Sequence, residues 1–431
     1  VADRPWEDKG VGGGYTLFDE QEQIFKMWYN VFNYVAWRNE EDHCYTYWIC
    51  YAESKDGLSW DKPELGIIEY EGSTKNNLVM QGEWWATIGT VLKEMDEEDP
   101  ARRYKMLYTD VFDMPTREAV AQAGGIDGEW TGRSGVCMAY SADGIHWEPF
   151  AGNPVIDGES DTTNSVFWDR DIGKYAYYLR PRVYAGHWKR RIARTESRDL
   201  HEWSDPQMVM VPDELDPVEL YGMPVFKYEG YYFGLLQMYY SESKATIEIQ
   251  LAFSRDGIGW DRLPTRDLFL GLGLQHGQGA DFDSGMIIVN RPVLVGDALW
   301  FYYTGYKATH TDFSNTYGVG LAVSKLDRLI GRSTPQGEGG LLLTRPLAWK
   351  GGALEVNVSS VDGAIQVEVL SEGGEVVEGY DRASSVVFSG DSLRQRMQWK
   401  EGRTMGALGG RRVRLKFYLS NATLYSFAMK N

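Results

Sequence analysis

The sequence predicts an all-β protein: a five-bladed β-propeller over residues 1–334, followed by a C-terminal β-sandwich over residues 335–431. Three observations predict it. A Ser-x-Asp-Gly-x-x-Trp turn recurs along the first three quarters of the chain, an aromatic-rich pair of strands alternates with that turn, and a different pattern begins after a glycine-rich stretch. Such self-similarity outweighs local propensity when a fold is read from sequence.

The turn appears first at Ser54 to Trp60 and again at Ser141 to Trp147. It returns at Ser197 to Trp203, with Leu200 in place of the glycine, and at Ser254 to Trp260. A worn copy is Ser324-Lys-Leu-Asp327. Each copy follows a short apolar strand. The Asp-Gly pair supplies a tight turn with the glycine at positive φ, and the Trp is expected to pack between sheets. The motif is therefore structural.

The alternating element is an apolar strand, a short turn and a strand rich in Tyr, Phe and Trp. Its five copies are Tyr15–Phe18 with Phe25–Tyr29, Gly89–Leu92 with Tyr104–Tyr108, Ser165–Trp168 with Tyr175–Leu179, Pro224–Lys227 with Tyr231–Gly234, and Pro292–Val295 with Leu299–Tyr303. Units of four strands repeated around an axis make a propeller, whose radial closure protects the sheet edges. Beyond Arg332 the repeat stops. Pro335 to Gly340 reads as a linker, and the alternating segments Ala353–Val358, Ile365–Leu370, Arg412–Tyr418 and Leu424–Phe427 read as sandwich strands.

Composition narrows the function. A formal charge of −18 opposes nucleic acid and anionic membrane surfaces. The one dense basic run, Lys189-Arg190-Arg191, reads as a solvated loop. Cys44, Cys50 and Cys137 form neither a disulfide framework nor a zinc site and read as small hydrophobes. No stretch approaches 18 apolar residues. The chain starts at Val1, so an upstream segment is expected to have been removed. Aromatics make up 14% of residues, a share that serves both pleated sheets and sugar-stacking surfaces.

In a propeller the innermost strand of each blade enters beside the axis, so acids at those entries are candidates to converge. They are Glu7 and Asp8 in blade 1, Glu83 in blade 2, Asp161 in blade 3, Glu219 in blade 4, and Asp281 with Asp283 in blade 5. Clustered carboxylates raise one another's pKa, which supplies the protonated acid and ionised base of glycoside hydrolysis. The competing reading is that each acid caps a turn or faces solvent.

The five-blade repeat, the acids on blades 1, 3 and 4 and the trailing sandwich resemble the furanosidase-type propeller hydrolases, glycoside hydrolase families 32 and 43. The family 32 signature Asn-Asp-Pro-Asn-Gly is absent, and Trp6-Glu7-Asp8-Lys9 stands in its place. The family 43 pattern implies Asp8 or Glu7 as general base, Asp161 as the orienting acid and Glu219 as proton donor. Candidate sugar-binding residues are Trp84, Trp85, Asn164, Arg180, Tyr221, His276, Asp283 and Arg291, with His187 and His310 as further residues that can face the funnel. No metal site and no cofactor are expected. The function expected is a glycoside hydrolase acting on an oligo- or polysaccharide, secreted or periplasmic. The alternatives are a glycoside phosphorylase on the same fold, which needs Arg or His to hold phosphate, and a non-catalytic carbohydrate-binding or interaction propeller. The sequence carries no indication of oligomeric state.

Overall fold

The computed structural model describes residues 2–8, 10–32, 47–82, 86–112, 133–158, 164–181, 189–274, 281–312 and 316–430. Every regular element among them is a β-strand or a short 3-10 turn. The chain divides into two compact units, Val1–Val293 with Trp300–Ala322, and Leu294–Leu299 with Val323–Asn431.

The first unit is a succession of antiparallel sheets in chain order. The first holds Gly12–Asp19, Ile24–Phe32, Tyr47–Ser54 and Leu78–Gln81. The second holds Thr87–Lys93, Tyr104–Phe112 and Arg133–Ser141, edged by two short strands at Glu148–Pro149 and Ile156–Asp157. The third holds Ser165–Asp169, Lys174–Leu179, Ile192–Ser197 and Gln207–Met210. The strands from Glu219 onward make two further groups. One centres on Tyr231–Tyr239 and Ile247–Ser254, the other on Ala298–Tyr306, and a single parallel pair, Ile247 with Met286, joins them. All five aromatic strand pairs expected from the sequence are hydrogen-bonded partners.

Inner strands such as Ile24–Phe32 and Tyr104–Phe112 are buried along almost their whole length. A strand covered on both faces needs a continuous apolar and aromatic run rather than alternation, which is what these segments carry. The recurrent turns are built alike. Ser54 Oγ donates to Asp56 Oδ1 and accepts from the Gly57 amide at 2.8 Å, while Asp56 Oδ1 accepts the amides of Leu58 and Ser59 at 2.8 and 2.7 Å. The same bonds recur at Ser141, Ser197 and Ser254. Gly57, Gly144 and Gly257 take φ of 72°, 82° and 73°. The turn tryptophans Trp60, Trp147 and Trp260 pack against rings of a neighbouring sheet, those of Tyr302, Trp28 and Tyr178.

The second unit carries one seven-stranded antiparallel sheet. Two segments expected as separate strands, Ala353–Val358 and Ile365–Leu370, are halves of a single strand, Ala353–Ser371. The Asp362-Gly363 pair lies inside this strand without ending it, and a register shift against the strand Phe388–Arg396 absorbs the residues between Ser360 and Ile365. Its first half pairs with Thr423–Lys430 and its second with Arg412–Ser420. Side chains of both halves, among them Val356 and Val367, enter one core with Trp349, Trp399 and Phe417.

Candidate active site

Glu219 opens the strand Glu219–Gly222, where it sits opposite Tyr239, and a register shift follows between Leu220 and Gly222. The Tyr221 and Tyr239 rings meet edge to face at 5.6 Å. Arg190 closes the arrangement. Its Nη1 donates to Glu219 Oε1 at 3.1 Å, its backbone amide donates to the same oxygen at 3.3 Å, and its guanidinium lies 5.5 and 5.2 Å from the Tyr221 and Tyr239 ring centres. A second guanidinium, that of buried Arg180, lies 5.3 Å from the Tyr221 ring.

Burial pushes the Glu219 carboxyl up, but the hydrogen bond from Ser241 and the charge of Arg190 outweigh it and hold the group below its ordinary range. Glu219 is therefore an ionised carboxylate near pH 7. His310 bridges the two tyrosines, with Nε2 3.1 Å from the Tyr221 hydroxyl and Nδ1 3.2 Å from that of Tyr239. Burial, helped by Arg190 and Arg180 and opposed by Glu219, brings its pKa down to about 4. The imidazole is therefore neutral near pH 7, one ring nitrogen donating and the other accepting, which fixes the orientation of both hydroxyls.

Buried phenols extend from this corner toward Asp8. Burial and the neighbouring Tyr47 and Tyr221 push Tyr306 up, and burial with Tyr306, Tyr47 and the Asp8 carboxylate pushes Tyr317 up. The Tyr306 and Tyr317 rings are 5.1 Å apart.

The two blade 1 candidates have opposite surroundings. Glu7 is 1% exposed. Its Oε2 accepts the amides of Asp3 and Arg4 and the Lys62 ammonium, the last at 2.8 Å, and its Oε1 accepts the Tyr29 hydroxyl at 2.7 Å. Asp8 is exposed. Among the other candidates, Arg180 and Tyr221 join Glu219. Asn164 is buried and hydrogen-bonds Tyr177, Asp283 accepts the Tyr303 hydroxyl at 2.8 Å, and Arg291 lies over the Tyr15 ring at 4.9 Å. Asp161, Trp84, Trp85 and His276 lie outside the described residues, as do Glu83 and His187. No three metal-ligating side chains come together among the described residues.

Sequence reasoning missed Arg190, Tyr239 and Ser241. Arg190 is not merely solvated: Glu219, 29 residues away, and two tyrosine rings supply its partners. Spacing carries no trace of that pairing. His310 was visible as a histidine that can face the funnel, and its two tyrosine partners give it a defined place. A separate apolar cavity of about 220 Å3, lined by Met27, Tyr29, Trp60, Lys62, Tyr302 and Leu321 among others, holds none of these residues.

No protein-family model and no curated protein matches the chain. Solved structures do. An N-acetylgalactosamine deacetylase from F. plautii, in complex with blood group B trisaccharide, is similar at a TM-score of 0.51 and 12% identity, over 76% of this chain and 93% of that one. BT0996, solved as an RGII complex, is similar at a TM-score of 0.50 and 13% identity, over 75% and 90%. A family 32 β-fructofuranosidase from Bombyx mori reaches a TM-score of 0.46 at 12% identity, over 97% and 92%. At these identities the likeness is one of fold.

Proposed function

We propose that this chain is a glycoside hydrolase whose sheets are the five blades of a propeller, with the two groups joined at Ile247 and Met286 as blades 4 and 5, and with residues 335–431 as a β-sandwich. The observation that carries this reading is Glu219 at the entry of its strand, buried, and surrounded by Arg190, Tyr221, Tyr239 and His310. A fold likeness to a protein solved with a trisaccharide supports a carbohydrate as the ligand.

Hydrolysis forms a bond from water oxygen to the anomeric carbon and breaks the glycosidic C–O bond. The leaving oxygen takes a proton from an acid, and a base takes one from the water. We assign the base to Asp8, because Glu7 has four donors on its carboxylate and no accessible oxygen to offer. Asp161 is the orienting acid and Glu219 the proton donor. Glu219 is ionised near pH 7, so it acquires its proton only once Arg190 is drawn away or its charge is met by another group. We place the protein outside the cytoplasm, where polymeric glycans are met.

The test is hydrolysis of a panel of aryl-glycosides and oligosaccharides by wild type, Glu219→Gln, Asp8→Asn and Glu7→Ala. We expect Glu219→Gln and Asp8→Asn to lose at least a hundredfold in kcat/KM while melting within a few degrees of wild type. Glu7→Ala strands Lys62 and Tyr29 and is expected to lose stability, by about 3 kcal/mol. Equal turnover by wild type and Glu219→Gln removes the assignment. A panel cleaved by none of the proteins, with saturable sugar binding, makes this a binding propeller instead.

A further inference from the structure

We infer that Arg180 and Arg190 form an oxyanion subsite beside Glu219, so that the ligand carries a carboxylate or phosphate group that takes Arg190 away from that carboxylate. The inference rests on the hydrolase reading for the role of Glu219 and goes further by specifying the ligand's charge.

Two guanidiniums lie within 5.5 Å of one tyrosine ring, that of Tyr221. The Arg190 guanidinium gives Glu219 a single Nη1 bond, at 3.1 Å, rather than a two-pronged grip. Its Nε is buried and has no acceptor among the described residues. A guanidinium is a planar fork of five N–H donors, and its full complement is a two-oxygen anion such as a carboxylate or a phosphate. Glu219 thus uses only part of the Arg190 fork.

The surroundings agree with this. His310 is neutral, so it adds no positive charge to that of the two arginines. The Tyr221 and Tyr239 hydroxyls, set by that imidazole, add neutral hydrogen-bonding groups beside them. The chain's net charge of −18 opposes long-range attraction of anions, so recognition must come from local geometry. An incoming oxyanion and Glu219 then compete for one cation. By linkage, whatever weakens the Glu219–Arg190 pair strengthens anion binding.

Calorimetric titration of the full chain tests this, with inorganic phosphate, methyl β-D-glucuronide and uncharged methyl β-D-glucoside as probes. The proteins are wild type, Arg190→Gln, Arg190→Lys, Arg180→Gln and Glu219→Gln, each checked by its melting curve. At least one anionic probe should saturate wild type. Arg190→Gln and Arg180→Gln should weaken it tenfold or more, and Arg190→Lys, which keeps the charge without the fork, should fall between. Glu219→Gln should tighten it several-fold. Phosphate alone as the binder identifies a co-substrate, the glucuronide alone identifies a carboxylate on the sugar, and either result supports the subsite. The inference is overturned if neither anion binds wild type or Glu219→Gln, or if binding ignores Arg190→Gln and Arg190→Lys. Because binding needs no turnover, anion capture without cleavage of any glycoside sinks only the hydrolase reading. Cleavage that depends on Glu219, without anion capture, sinks only the subsite.

Discussion

His310 carries its burial as a liability in acid. The unfolded chain takes up a proton at this residue near its ordinary 6.5, whereas the folded chain resists until about 4. Between those values the unfolded state binds more protons, so stability falls as pH drops through the window and the loss is complete below it. The difference amounts to about 3 kcal/mol. Urea unfolding at pH 7 and pH 4 should show wild type losing that much more than His310→Phe over the same interval. A pH dependence unchanged by the substitution would mean that the imidazole titrates in the folded chain as it does in the unfolded one. At this scale the sequence was legible in part. Glu7 and Asp8 are adjacent and chemically alike, yet the 3-10 turn Pro5–Glu7 folds one carboxylate back on its own amides and leaves the next residue exposed. Glu219 stood out by its place at a strand entry. Its partner Arg190 did not, because the loop before Ile192 and the strand register together decide what the guanidinium meets.

At the scale of the element, the turn glycines answer to two demands. The first is positive φ, which any of them satisfies. The second is the ring of a neighbouring sheet: Trp28 Nε1 donates to the Gly144 carbonyl, Tyr178 to that of Gly257, and Tyr302 to that of Gly57. A Cβ on Gly144 would stand 2.8 Å from the Trp28 ring, whereas one on Gly158, at a similar φ of 87°, meets nothing within 4 Å. Gly144→Ala should therefore cost about 1–3 kcal/mol more than Gly158→Ala in thermal unfolding. Equal costs would mean the ring gives way freely. The third copy shows the same logic from the other side. Leu107 occupies the strand position that Trp28, Tyr178 and Tyr302 hold elsewhere, it offers no donor, and the turn that follows carries Leu200, at φ 68° and 1% exposed, in the apolar cluster with Leu107. The recurring turn, the aromatic strands and the tryptophans between sheets were all legible because they repeat. The merging of two C-terminal strands was not, since the Asp362-Gly363 pair between them reads as a turn, yet the strand runs through it with a register shift against its neighbour.

Across the first unit, neighbouring sheets are tied by a second repeated device. Asp19 accepts Lys93 and Tyr104 from the next sheet, and Asp169 likewise accepts Lys227 and Tyr232. Tyr175 reaches back to Glu94 in the same manner. Burial alone would push Asp169 up, but Lys227 and Tyr232 hold it below its ordinary 3.8. Its stabilisation is present above that value and is lost as pH falls toward the folded one. Asp169→Asn should cost about 3 kcal/mol at pH 7, measured by urea unfolding, and less at pH 3. A loss that stays constant with pH would mean that the pair contributes through shape rather than charge.

One of the ring-to-turn bonds differs from the others in span. The Tyr302 hydroxyl meets the Gly57 carbonyl across 245 residues of sequence. On a ribosome adding about 5–20 residues per second, the first sheet waits roughly 12–50 seconds for that donor to be made. Through that interval the earliest sheet is a nascent segment with one flank uncovered and a strand edge open to other proteins.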